Sequence, residues 1–287
     1  MTISPHRDAQ IHPTAVVDPR ATIEAGARIG AYSIVGPEVT VGAAVEIGHH
    51  AVLEGRVVLE ARVKIGHGAL IGGDPQDLKF KPDTPSGVKI GAGTVIREQV
   101  TIHRATKPDG WTQIGPECLL LASSHVAHDC RLGARVIVIN YAGITGHCDI
   151  GDHATIGGLT GLAPFTRVGG WAYIGGCAKV TSDVPPFMIV DGVPATVRGV
   201  NVIGLRRGGV SPADRRVVQD AHRLLYRSGL GPARAIERMR AELPRTPLVD
   251  ALIDFVAASR RGVCAPHGGW RGAVGEPALE SESQQVF

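Results

Sequence analysis

An aliphatic residue returns every sixth position along most of this chain. Cut from Ile11, the sequence reads IHPTAV, VDPRAT, IEAGAR, IGAYSI, VGPEVT, VGAAVE, IGHHAV, LEGRVV, LEARVK, IGHGAL, with Ile71 leading the eleventh block. The phase is lost over residues 77–89, resumes at Ile90, Ile96 and Ile102, and is lost again over 108–113. It then holds from Ile114 to Val180, giving twenty-six leads in all. One large inward aliphatic per six residues, with a small inward residue two places before it, describes one face of a three-sided coil. Three faces make an 18-residue coil, and eight to nine such coils stack as parallel strands about 4.8 Å apart. Residues 11–190 are therefore expected to form an all-β parallel β-helix, after a lead of residues 1–10 and with loops at 77–89 and 108–113. The frequent glycine in the second place of the hexad reads as a corner that needs a positive φ.

Composition agrees with a long, thin solid. Aromatic residues make up only 4% of the chain, so Val, Ile, Leu and Ala must supply the core. The 38 Gly and 19 Pro remain below the share of a disordered chain. After Pro186 the hexads stop. Ser211-Pro212-Ala213-Asp214 has the form of a helix start, an N-cap followed by Pro at N1 and an acid at N3. Helices are expected from there to about Ser228, from about Ala233 to Leu243, and from Thr246-Pro247 to about Arg260. Residues 191–261 thus form a helical C-terminal domain, and 262–287 read as a disordered tail. Between residues 201 and 262 there are 12 Arg against 6 acidic residues. That local excess is hidden in a chain of net charge +3, which is too even for a dedicated nucleic-acid binder.

The N-terminus shows no apolar signal region, and no apolar run approaches the roughly 20 residues that span a bilayer. A cytoplasmic protein without a transmembrane segment is expected. The five cysteines are scattered and contain no CxxC pair. Cys130 and Cys148, one coil apart, both fall on the small inward position and read as buried core residues.

A coil of 18 residues converts spacing into adjacency. His125, His128 and Asp129 face Gly146 and His147 on the next coil, and His103 lies on an earlier one. His103, His128 and His147 occupy neither inward place and are expected to point outward. The alternatives at this point are a solvated histidine row and a built site.

Several runs resemble the acyl-acyl carrier protein:UDP-N-acetylglucosamine O-acyltransferases, a family of hexapeptide-repeat enzymes: Gln76-Asp77-Leu78-Lys79, Ile96-Arg97-Glu98, Thr101-Ile102-His103-Arg104, His125-Val126-Ala127-His128-Asp129-Cys130, Gly146-His147, Asp183-Val184-Pro185-Pro186 and Gly199-Val200-Asn201. The resemblance spans about residues 10–262. It implies a left-handed β-helix, a homotrimer with sites between neighbouring subunits, and the first step of lipid A synthesis. In that step an acyl chain passes from acyl carrier protein to the 3-position of UDP-N-acetylglucosamine, without a cofactor or metal.

By the same resemblance, His128 is the general base, Asp129 its orienting carboxylate and Gly146 the oxyanion donor. Gln76, Asp77, Lys79, His103, His125 and His147 would surround sugar and acyl chain, with Lys79 reaching a partner subunit. Gly176 would set acyl length, and Asn201 and Arg207 would hold the nucleotide end. These residue types suit acyl transfer, which needs a base near neutrality and a donor for a developing oxyanion. The chain departs from the family at Ala163 and Pro164 (a His-Gln pair), Pro194 (a histidine), Ile203 (a glutamate) and Gly208 (an arginine). Three other readings stay open: transfer to a related UDP-sugar such as a 3-amino sugar, a trimeric β-helix zinc enzyme, and a non-catalytic structural trimer.

Overall fold

The computed structural model describes residues 6–269. Every one of the twenty-six leads falls in a short parallel strand, from Gln10–Ile11 to Lys179–Val180. These strands form three sheets of nine, nine and eight members in which each strand pairs with the one three places on, and two later strands bring the first to eleven. The register steps by 18 residues, as in Gln10↔Arg28 and Arg28↔Glu46. It widens by thirteen at Lys64↔Val95 and by six at Val95↔Leu119, where the two loops are extruded.

The prism interior is a column of leads, among them Leu53, Ile71, Ile102 and Ile144, all fully buried. The small inward position does more than fill space. Its side chain donates to the second-place carbonyl of the following coil: Ser33 Oγ to Gly48 O at 2.6 Å and Thr160 Oγ1 to Gly175 O at 2.8 Å. Cys118, Cys130 and Cys148 make the same bond through sulfur, to Gly133, Thr145 and Ala163 carbonyls. These thiols are free and buried, so they act as structural donors in the lumen.

The expected role of the second-place glycine needs correction. Positive φ falls at the fourth place of the hexad, and ordinary side chains hold it: Tyr32 (58°), His50 (57°), Asp129 (59°) and His147 (61°). The second-place glycine answers instead to close stacking. A Cβ on Gly30 would lie 2.7 Å from the carbonyl carbon of Gly48, and one on Gly157 would lie 2.5 Å from that of Gly175. At these glycines the neighbouring coil leaves no room for a methyl group, although other coils carry larger second-place residues such as Glu24 and Thr145.

Past Pro186, the strand Met188–Asp191 adds to the largest sheet and turns back antiparallel into Thr196–Val200. Four helices follow: α1 (Val202–Arg207), α2 (Pro212–Tyr226), α3 (Pro232–Glu242) and α4 (Pro247–Ala257). Ser211 caps α2 through the Asp214 N–H at 3.0 Å, and Thr246 caps α4. The helix α1 escaped the sequence reading because it is a single short turn-and-a-half with Gly204 inside it.

Residues 262–269 also depart from expectation. Cys264 is buried and its N–H donates to Asp183 O at 2.8 Å, while Val263 and Pro266 bridge to Asp183 and Val197. A run without hydrophobic period is here held by β-bridges to chain some 70–80 residues earlier, which no local pattern reveals. The rest of the expected tail, 270–287, lies outside the described residues. Among those described, no helix is long and apolar enough to cross a membrane.

Candidate active site

Two consecutive corners of the second sheet, one after Val126 and one after Ile144, place His128, Asp129, Gly146 and His147 together. Asp129 takes the fourth-place, positive-φ conformation, which swings its carboxylate sideways along the corner. It meets His128 Nδ1 at 2.8 Å. The Thr106 N–H and hydroxyl both donate to the same carboxylate, at 3.1 and 2.7 Å to Oδ2, and Thr112 Oγ1 receives the Asp129 N–H at 2.9 Å. Burial works against this charge, but the bonds from His128 and Thr106 outweigh it and hold the carboxyl at about 2. An ionised carboxylate accepts hydrogen bonds and cannot donate. His128 Nδ1–H is therefore the donor, and in the neutral imidazole the lone pair lies on Nε2.

Gly146 packs under that ring. A Cβ there would lie 2.5 Å from His128 Cε1 and 2.7 Å from Nε2, so only glycine allows this approach. Three other third-place amides are capped by the third-place side chain one coil on, Ala31 by His49, His49 by His67 and Ala134 by Asp152, whereas those of Ala43, Asn140 and Gly158 are not. The residue one coil beyond Gly146 is Pro164, whose side chain has no acceptor to offer. Among the described residues the Gly146 N–H makes no hydrogen bond. A lone-pair nitrogen and an unspent N–H thus stand side by side.

His147 stacks on Phe165, with centroids 4.5 Å apart at 3°, and stands edge-on to His128 at 5.1 Å. Its Nε2 is 3.8 Å from Asp129 Oδ2. Burial lowers its pKa, against the charge of Asp129. His125 Nδ1 meets Thr101 Oγ1 at 2.7 Å, and its ring is edge-on to His103 at 4.7 Å. Burial, then His103 and His128, push His125 down to about 4.

His103 does not face solvent as expected. It is 8% exposed, in register with Gly73 at the base of the first loop, and burial lowers its pKa. His128 and His147 do face away from the lumen, with side chains 14% and 30% exposed.

The first loop is pinned by Arg104, which pairs with Asp74 at 2.7 Å, donates to Thr84 and Pro82 carbonyls and lies over the Phe80 ring. Gln76 and Lys79 are exposed on that loop, the Lys79 N–H donating to Asp77 Oδ1. Gly176 is exposed on a corner of the largest sheet. Asn201 caps α1, and Arg207 ends it, exposed. The structure thus gathers His103, His125, His128, Asp129, Gly146 and His147. Among the described residues no hydrogen bond or ion pair ties Gln76, Lys79, Gly176, Asn201 or Arg207 to that cluster.

Sequence reasoning missed Thr106, Thr112 and Arg104. Thr112 lies 17 positions before Asp129, close to one coil, but it falls inside the interrupted phase at 108–113, where counting fails.

His128, Asp129 and His147 each offer one ligand atom, all within 4.8 Å of one another, and among the described residues they are the group able to hold a metal ion. The short His128–Asp129 hydrogen bond accounts for their closeness without one.

The model of the family "Udp N-acetylglucosamine O-acyltransferase; Domain 2" matches residues 183–264. An acyl-[acyl-carrier-protein]--UDP-N-acetylglucosamine O-acyltransferase of Thermodesulfovibrio yellowstonii is 41% identical over 256 residues, which cover 89% of this chain and 99% of the relative. The solved structure of LpxA from Acinetobacter baumannii superposes with a TM-score of 0.85 at 37% identity, covering 88% of this chain and 99% of that one. The UDP-N-acetylglucosamine acyltransferase of Campylobacter jejuni gives 0.84 at 30%, covering 89% and 99%. The β-helix is accordingly left-handed, with a short helical region at its C-terminal end. With the repeat, the helical end and nearly the whole length shared, this chain belongs to the acyl-acyl carrier protein–UDP-N-acetylglucosamine O-acyltransferase family of enzymes.

Proposed function

We propose that this enzyme moves an acyl chain, a 3-hydroxyacyl chain in the family's manner, from acyl carrier protein to the 3-hydroxyl of UDP-N-acetylglucosamine, as the first step of lipid A biosynthesis. The observation that carries the reading is the His128–Asp129 pair, whose free Nε2 stands beside the unspent Gly146 N–H. Nε2 takes the proton as the sugar oxygen attacks the thioester carbonyl. The Gly146 N–H receives the oxyanion, a donor of the kind worth about 3–4 kcal/mol in the transition state. Collapse breaks the C–S bond, and the imidazolium returns its proton to the leaving thiolate. Asp129 holds the tautomer and offsets the transient positive charge. No step calls for a cofactor.

His103, His125, His147, Gln76, Asp77 and Lys79 form the walls for sugar and acyl chain, Gly176 the far end of the acyl groove, and Asn201 and Arg207 the nucleotide end. A homotrimer fits the outer surface, where Ile137, Tyr141, Leu159 and Tyr173 are exposed apolar side chains on one sheet and its corner. Five free cysteines suit a reducing cytoplasm.

The test is acyl transfer measured across acyl-carrier-protein chain lengths, with UDP-N-acetylglucosamine and its 3-amino analogue as acceptors. Ester formation on the former supports the reading, and amide formation on the analogue alone overturns the choice of sugar. The His128–Asp129–His147 cluster also favours a zinc enzyme as a second reading. Metal analysis of active protein decides: stoichiometric zinc, with activity lost to chelators, would replace the base mechanism.

A further inference from the structure

The departure at Gly208 has a structural counterpart in Trp171. Gly208 sits at the C-terminal end of α1 with φ −80° and ψ 5°, a conformation open to any residue. Space is what requires glycine. A Cβ there would collide with Trp171 Cη2 and lie 2.5 and 2.8 Å from Cζ3 and Cζ2 of the same ring. The indole is itself held in place, stacked on His153 with centroids 3.9 Å apart at 9°, on a backbone whose N–H donates to Asp152 O at 2.8 Å.

Trp171 also grips the other end of the helix. Its carbonyl accepts from Asn201 Nδ2 at 2.9 Å, and Asn201 Oδ1 accepts from the Gly204 N–H at 3.0 Å to cap α1. Gly204 is close-packed as well, a Cβ there falling 2.8 Å from Asn201 Cγ. A helix of six residues cannot hold its own orientation, because helix nucleation is unfavourable without packing. Here one residue contacts both ends of it.

We infer that Trp171 is a positioning residue for sugar-nucleotide binding, with its indole and carbonyl setting the placement of α1 and therefore of the Arg207 guanidinium, and that Gly208 is glycine to admit that ring. The inference rests on the reading of Arg207 as the cation for the diphosphate. A side chain at 208 would meet the indole, so of these two positions only Arg207 offers a cation, braced through Trp171.

The experiment measures KM for UDP-N-acetylglucosamine, KM for acyl-acyl carrier protein and kcat in full-length Arg207→Ala, Gly208→Ala, Trp171→Leu and the Trp171→Leu/Gly208→Ala double variant. Gly208→Ala is expected to raise the sugar-nucleotide KM about tenfold, the scale of one lost charge-assisted contact. KM for the acyl donor should stay within about twofold, as for a change confined to one end of the site. The double variant should be no worse than Trp171→Leu alone, since the added methyl then meets no ring. A raised KM in Arg207→Ala with unchanged KM in both Gly208→Ala and Trp171→Leu overturns the inference while leaving the role of Arg207 standing. An unchanged KM in Arg207→Ala removes that role, and the inference with it. If Gly208→Ala does not fold, Trp171→Leu, which adds no bulk, carries the same expectation.

Discussion

Replacing Asp129 by Asn tests the site most directly, because shape is kept while charge is lost. In the native corner the carboxylate accepts from His128 Nδ1 and from both Thr106 donors. The bonds from His128 and Thr106 converge on Oδ2, so an asparagine oxygen there is a weaker, uncharged acceptor, and its NH2 takes the Oδ1 place, facing the Thr106 N–H at 3.3 Å. His128 is then free to move its proton to Nε2, and the base disappears while the ring stays in place. The carboxyl sits at about 2 against the usual 3.8. At 1.36 kcal/mol per pKa unit, the fold favours the ionised form by about 2 kcal/mol. Losing that, and adding a mismatched donor, should cost the folded protein about 2–4 kcal/mol. Turnover should fall by about 10²–10⁴, the usual worth of positioned proton transfer. The assay is steady-state acyl transfer with both substrates varied, alongside chemical unfolding of the same preparation. A kcat within threefold of the parent would refute the tautomer argument. A stable, inactive variant would show that the hydrogen bonds of the corner matter to chemistry more than to folding.

His128→Ala should abolish transfer and cost about 1–3 kcal/mol of stability, since the half-buried Asp129 carboxylate loses its bond from the ring; wild-type turnover would remove His128 from the mechanism. Gly146→Ala should fold yet lose about 10²-fold or more in kcat, since its methyl meets the His128 ring and the oxyanion donor shifts; unchanged kcat would rule that donor out. For pH, His125 and His222 titrate at about 4 when folded because burial disfavours their charged forms, against 6.5 unfolded. Each contributes full stability above 6.5 and loses it as pH falls toward 4, about 3 kcal/mol apiece. Asp129 begins to withdraw its own share only below about 3.8. His222→Phe, in α2 and outside the site, should therefore flatten the stability loss between pH 6.5 and 4 in urea unfolding series; an unaltered pH slope contradicts this. Finally, Arg223, Arg238 and Arg245 are paired with acids, whereas Arg216, Arg234 and Arg240 are exposed and form no ion pair among the described residues. Charge reversal at those three should raise KM for the acidic acyl carrier protein, most at low salt; a flat KM across mutation and salt would mean that they steer nothing.

The six-residue period by itself determined the prism. A single phase marks every inward lead, predicts the 18-residue register and even places both loop insertions, because each face of a coil repeats the same local geometry. Cys130 and Cys148 were legible as core for the same reason, and so was the adjacency of His128, Asp129, Gly146 and His147. What lay beyond reach depends on contacts that the period does not encode. The glycine of the second place looked conformational until stacking distances showed that it is steric. His103 was read as outward because a hexad cannot show that Gly73 and His125 of the neighbouring coils pack against it. Thr112 falls where the phase is broken and Thr106 lies on the far side of that break from Asp129, so no counting rule sets them against it. Cys264 and α1 owe their places to partners far away in sequence. The Trp171–Gly208 contact joins a β-helix corner to a helix end 37 residues later, and only the packing of two side-by-side elements reveals why one residue must be small where the other is large.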